Sequence, residues 1–142
     1  MQVVVAVAVV VGAVALGLIL RLRQRVEVPT QPSTDVPAQL DRADFEPRTP
    51  WLVAVFSSAT CDSCADVVRK AQVLRSDSVG VVEVEYNDAR ELHRKYDIQV
   101  VPMVAIADNE GVVRAGFAGP VTAEDLWGAL ADVRAGVRDV RD

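Results

Sequence analysis

The sequence predicts an α/β domain, a mixed sheet of about four strands flanked by helices, carried behind one N-terminal transmembrane helix. Three observations lead there. From Trp51 onward the hydrophobic patterns run strand, helix, strand, helix, strand, strand, helix. Both cysteines of the chain sit two residues apart, in Cys61-Asp62-Ser63-Cys64, at the first strand-to-helix junction. Ahead of the domain, Val3 to Leu20 carries no charged or polar side chain over about eighteen residues, close to the length that spans a bilayer's hydrocarbon.

The apolar run reads as a retained anchor, residues 1–22. Ala13-Val14-Ala15 has the small-residue spacing of a signal-peptide cleavage site, but Met1 and Gln2 supply no basic leader and the apolar run continues past it. Arg21, Arg23 and Arg25 crowd the C-terminal flank, so the positive-inside bias favours a single-pass protein of the cell membrane with its domain in the cytoplasm. Extracytoplasmic facing is the alternative. Residues 23–48 contain Pro29, Pro32, Pro37 and Pro47 among Thr, Gln, Ser and Asp, which predicts an extended Pro-rich linker. Within it Ala38 to Phe45 has the makings of a short helix, with Leu40 and Phe45 as its contacts.

Residues 49–138 are then the domain. Trp51 to Phe56 (WLVAVF) is a continuous apolar run of strand length, as expected of a strand covered on both faces. The helix predicted from Cys61 to about Arg75 has Val67, Val68, Ala71 and Leu74 at helical spacing. Val81 to Tyr86 alternates, which predicts a strand with a polar face or an edge strand. Asp88 to Tyr96 carries Ala89, Leu92 and Tyr96 on one stripe, with His93 expected on the solvated side. Met103 to Ala107 and Val112 to Phe117 flank Asp108-Asn109-Glu110-Gly111, a hairpin turn with glycine where positive φ is needed. Thr122 is positioned to cap a last helix with Asp125 three residues on, and Leu126, Trp127, Leu130 and Val133 are its predicted core residues.

Charge and composition exclude several functions. A net charge of −5 with no basic stripe argues against nucleic acid as the partner. Two cysteines and one histidine, His93, do not make a four-ligand zinc site within one chain, so no metal or dissociable cofactor is expected. A cysteine pair at a helix start remains. With Cys61 at the N-cap, the helix dipole and the N–H groups of Ser63 and Cys64 would favour its thiolate, and Cys64 one turn on is near enough to close a disulfide. Such a pair carries two electrons reversibly. The bland reading of these residues is an inert structural pair.

The element order, the C-x-x-C after the first strand and the stretch Lys95-Tyr96-Asp97-Ile98-Gln99-Val100-Val101-Pro102 together resemble the thioredoxin family, over about Trp51 to Val133. Val55-Phe56, Asn109-Glu110-Gly111-Val112-Val113 and Phe117-Ala118-Gly119 extend the resemblance. It implies a thioredoxin-like fold, thiol–disulfide exchange with protein disulfides or dithiols, Cys61 as attacking thiol and Cys64 as resolving thiol. It also implies a cis-proline loop at Val101-Pro102 that, with Thr60 and Gly119, receives an extended substrate. Three departures stand out. Thr60 replaces the family's tryptophan, Asp62-Ser63 replaces Gly-Pro between the cysteines, and Val55 replaces a buried aspartate. Counting back from the matched Lys95 and Pro102, the resemblance sets Glu83 where the family carries a lysine facing that aspartate, so a half-buried Glu83 carboxylate is the candidate acceptor for the Cys64 proton; the alternative is that Glu83 and Glu85 form the solvent face of an edge strand.

The resulting expectation is a membrane-tethered thiol–disulfide oxidoreductase. The alternative is a redox-sensitive thioredoxin-like module that binds a membrane partner without turnover. A thiol-based carrier of a soft metal is a weaker rival, since no third ligand adjoins the pair.

Overall fold

The structure is a computed structural model, and it describes Met1, Gly12, Val14, Ala15 and residues 35–136. Apart from those four residues, the predicted anchor lies outside the described residues, as does the linker up to residue 34. Among the described residues, no helix is long and apolar enough to cross a membrane.

Four strands form one sheet: β1 (Trp51–Ser57), β2 (Val79–Glu85), β3 (Met103–Ala107) and β4 (Val113–Ala118), in the order β2-β1-β3-β4. β1 runs parallel to β2 and antiparallel to β3, and β4 is antiparallel to β3. Three helices complete the domain: α1 (Cys64–Gln72), α2 (Arg90–Lys95) and α3 (Ala123–Arg134).

The central position of β1 explains its unbroken apolar run, because it is hydrogen-bonded on both sides and covered on both faces. Its odd positions Val53 and Val55 pack with Val67 and Ala71 of α1 and with Leu126, Ala129, Leu130 and Val133 of α3. Its even positions Leu52, Ala54 and Phe56 pack on the opposite face with Leu40, Phe45 and Met103, against which Leu92 of α2 and Tyr96, its C-cap, also lie. β2 is an edge strand: Val81 is buried on the α1 face and Val84 on the α2 face, while Glu83, on the α1 face by alternation with Val81, is exposed.

The turns form as their residues require. Gly111 takes φ +83°, and a Cβ there would meet the carbonyl oxygen of Leu40 at 1.9 Å, so both backbone conformation and space demand glycine. Thr122 caps α3 by accepting the Asp125 N–H, and its hydroxyl donates to the Asp125 carboxylate at 2.8 Å.

Three expectations need correction. His93 is not solvated but 4% exposed, because the short α2 turns it onto the same stripe as Tyr96. Its Nε2–H donates to the Val84 carbonyl at 2.8 Å, and its ring lies edge-on to Phe56 and Tyr86. Trp127 is 42% exposed rather than core, and its indole N–H reaches the Lys70 carbonyl at 3.1 Å.

The described part of the Pro-rich stretch, residues 35–48, is packed against the domain and extends the folded unit ahead of residue 49. Gln39 forms an antiparallel bridge with Val112, supported by the Leu40 N–H to Gly111 carbonyl bond at 2.8 Å. Leu40 and Phe45 are 0% and 1% exposed, flanking a 3-10 turn at Arg42–Asp44 that Asp41 caps. The Tyr96 hydroxyl donates to Asp44 and Lys95 bonds Asp44 at 2.7 Å, which fastens the segment to α2.

Candidate redox site at the end of the sheet

The loop from Ser58 to Ser63 carries the chain from β1 into α1 and places Cys61 at the C-terminal end of the central strand. Cys61 and Cys64 are joined in a disulfide with a Cα separation of 5.4 Å. Cys61 is not the N-cap of α1; Ser63 holds that position and Cys61 lies in the preceding turn, its carbonyl accepting the Cys64 N–H at 3.3 Å. The reason is local, since the Cys61–Cys64 turn closes before the helical hydrogen bond from Val67 N–H to the Ser63 carbonyl begins. Exposure separates the two sulfurs. Cys61 is half-buried while Cys64 is 3% exposed beneath it. The Ser63 hydroxyl stands 3.8 Å from the Cys61 sulfur.

Pro102 immediately precedes β3, whose first residue Met103 pairs with Phe56, so the proline lies at the same end of the sheet as Cys61. Met103 belongs to the α2 face and Val104 to the α1 face, and alternation puts Pro102 on the α1 face, the side of the cysteines. The Val101–Pro102 bond is cis. Gly119, at φ +97°, donates its N–H to the Pro102 carbonyl at 2.7 Å, which brings two of the predicted substrate-contact residues together. Val101 packs toward the α2 face, and Thr60 is exposed directly before Cys61.

Val55 pairs with Glu83 across the β1–β2 ladder, the register expected from the sequence. The Glu83 side chain differs from expectation in being exposed rather than half-buried, because β2 is an edge strand. It is hydrogen-bonded not to a cysteine but to Ser57, whose hydroxyl donates to Oε1 at 2.6 Å. Ser57 is 1% exposed and lies on the α1 face by alternation with Val53 and Val55.

Glu85 is a site residue that sequence reasoning left on the solvent face. Its Oε1 accepts the Ala59 N–H at 2.9 Å, and its Oε2 accepts the N–H groups of Asn87 and Asp88 at 2.7 and 3.2 Å. These bonds, the one from Ala59 foremost, hold its carboxyl below the usual carboxylate range. The carboxylate thus ties the cysteine-bearing loop to the end of β2. Register was the missing signal, because only the Ser57–Glu85 pairing shows that this acid stands beside the loop.

Among the described residues, no group of three or more His, Cys, Asp or Glu side chains is placed to hold a metal ion. The arrangement offers one half-buried cysteine bonded to one buried cysteine, at the sheet end that also carries the cis-proline loop. Chemically such a pair can act as a two-electron thiol–disulfide couple.

No protein-family model and no curated protein matches the chain. Solved structures do match in fold. A malarial protein superposes with TM-score 0.54 at 17% identity, over 59% of this chain and 97% of that one. A single-site mutant of the thioredoxin from Halobacterium salinarum NRC-1 superposes with TM-score 0.52 at 17% identity, over 60% of this chain and 74% of that one. At such identity the likeness is one of fold, and the fold is thioredoxin-like.

Proposed function

We propose that the protein is a membrane-tethered thiol–disulfide oxidoreductase that exchanges the Cys61–Cys64 couple with protein disulfides or dithiols. The observation that carries this reading is the pairing of a half-buried Cys61 with a buried Cys64 in one disulfide, at the sheet end that also holds cis-Pro102. In the reducing direction, the Cys61 thiolate attacks one sulfur of a substrate disulfide. A Cys61–substrate disulfide forms and the other substrate sulfur leaves as thiolate. Cys64 then loses its proton and attacks the Cys61 sulfur, which releases the second substrate thiol and regenerates the Cys61–Cys64 disulfide. Two electrons pass to the substrate. Run in reverse, the same steps oxidise a dithiol.

Glu83 is the proposed acceptor of the Cys64 proton, directly or through the Ser57 hydroxyl bonded to it. Its support is placement, since Ser57, Glu83 and the start of α1 share one face at one end of the sheet. Glu83→Gln should slow resolution of a Cys61-linked adduct about ten- to a hundredfold, with Cys61 alkylation unchanged. An unaltered resolution rate removes Glu83 from the mechanism. Val101, Pro102, Thr60 and Gly119 are the proposed contacts of the substrate strand.

Tethering rests on the apolar run Val3 to Leu20, and cytoplasmic facing on Arg21, Arg23 and Arg25. Labelling of domain cysteines from outside intact cells would reverse the orientation.

The decisive experiment is trapping. In the full chain Cys64→Ser should accumulate mixed disulfides with partner proteins and Cys61→Ser should not. Preferential alkylation of Cys64 in the reduced protein would overturn the assignment. Capture of partners by the wild type with no turnover of any disulfide would make it a redox-gated binding module instead.

A further inference from the structure

Beside the cis-proline loop, on the α2 face of the sheet, lies an open groove of about 450 Å³. Val36, Tyr96, Val100 and Met103 give it apolar walls, Asp35 and Asp97 line it as well, and among the described residues no cation lines it. The nearest lysine in sequence, Lys95, is engaged by Asp44 and Asp41 at 2.7 and 3.3 Å. One wall, Val100, is 48% exposed and directly precedes Val101-Pro102.

Asp97 is an unusual choice for its position. It is the residue after the α2 C-cap, Tyr96, with φ +51°, donating its N–H to the Arg94 carbonyl while the next N–H, of Ile98, goes to the His93 carbonyl. That pattern of two bonds is the one glycine or asparagine normally completes. A carboxylate there meets both the left-handed backbone and the negative end of the helix. Local stability disfavours it, so its presence is explained better by what its charge contacts from solvent.

The geometry points to a specificity subsite for the thiol–disulfide exchange proposed above: the groove between residues 35–37 and the Val100–Pro102 loop takes a lysine or arginine side chain from the polypeptide flanking the substrate cysteine. The side chain's methylene stem lies along Val36, Val100 and Met103, and its cationic head meets the Asp97 carboxylate, which now accepts from Gln99 at 2.5 Å. Long cationic side chains suit a site with apolar walls and acidic lining; an apolar or acidic side chain loses one half of that match or is repelled. A substrate strand attached at Cys61 crosses the Val100–Val101 backbone to reach the groove. The inference rests on the exchange reading, and its test separates the two.

Peptides bearing one cysteine in a disulfide with thionitrobenzoate, and Lys, Leu or Glu three positions to either side, are mixed with the reduced full-length chain. Attack by Cys61 on the peptide sulfur forms the peptide–Cys61 disulfide and releases the coloured thiolate. On one side of the cysteine, the second-order rate should fall in the order Lys, Leu, Glu, by about tenfold overall, as expected when a partly exposed ion pair forms with Lys and like charges meet with Glu. The spread should shrink with added salt. Asp97→Asn, which keeps the left-handed backbone conformation, should narrow it to about threefold or less. Equal rates for the three peptides, or a spread unchanged in Asp97→Asn, overturn the subsite and leave the exchange reading standing. If no peptide releases thiolate, the exchange reading fails; serine versions of the peptides are then titrated against the full chain, where tighter binding of the Lys peptide that Asp97→Asn abolishes supports the groove and equal binding overturns it.

Discussion

Phe45→Ala tests whether the stretch before Trp51 is a tether or part of the fold. The ring is 1% exposed, stacks at 5.9 Å on Tyr96, and shares its cluster with Leu40, Phe56 and Met103. Truncating such a phenylalanine removes its transfer free energy and leaves a cavity, a cost of about 3–5 kcal/mol. A domain of this size is stable by roughly 5–15 kcal/mol, so the loss is a large share of the total. It should lower Tm by on the order of 15–25 °C. A ceiling applies, because the segment can peel away from the sheet once detachment costs less than the cavity. In that case amides of Leu40 and Val113, bonded to the Gly111 and Ala38 carbonyls, lose their hydrogen-exchange protection before the rest of the sheet does. The assay is guanidinium unfolding of the detergent-solubilised full chain by tryptophan fluorescence, paired with amide exchange. Val100→Ala, at a 48% exposed position, is the control and should cost less than about 0.5 kcal/mol. A Phe45→Ala loss below about 1 kcal/mol with Leu40 and Val113 still protected would show that the segment does not help hold the domain together.

Burial and the neighbouring Asp44 push the Tyr96 phenol up to about 12. Since the unfolded phenol titrates near 10, the folded state retains the proton longer. This contribution to stability is full below about pH 10 and is lost as pH rises through about 12; Tyr96→Phe should flatten that decline in alkaline unfolding curves. Glu85 behaves oppositely, its lowered carboxyl contributing above the usual carboxylate range and losing that contribution as pH falls through its folded value. Glu85→Gln should accordingly raise exchange of the Ala59 amide at neutral pH, and no change there would mean the carboxylate does not hold the loop. Asp97→Gly relieves a left-handed aspartate and should stabilise the chain by about 1 kcal/mol, read as a Tm gain of several degrees; a fall in Tm would mean that the carboxylate supports the fold. Gly116→Val should destabilise, because even a Cβ there would stand 2.6 Å from a Val36 methyl and the wider side chain would force residues 35–37 off β4. Equal unfolding midpoints would show that Val36 moves aside freely.

Features that depend on local pattern were legible in the sequence. An uninterrupted apolar run marked β1 as a strand covered on both faces, Gly111 marked the hairpin, Thr122 with Asp125 marked the start of α3, and the C-x-x-C after β1 marked the cysteine pair at the end of the sheet. Each of these is governed by interactions spanning a few residues. Long-range packing supplied what periodicity does not encode. His93 is buried because Phe56 and Tyr86 come to it from other elements. Leu40 and Phe45, the contacts expected of a short helix within the Pro-rich stretch, are core because the sheet's α2 face, which the six-residue α2 is too short to cover alone, takes them; local pattern named the residues but not the face they meet. Glu83 and Glu85 look equivalent in V-E-V-E, yet register and edge position give one to Ser57 and the other to the Ala59 amide. Alternation states which residues share a face; only the packed chain states what stands against that face, because the partners are dozens of residues away in sequence.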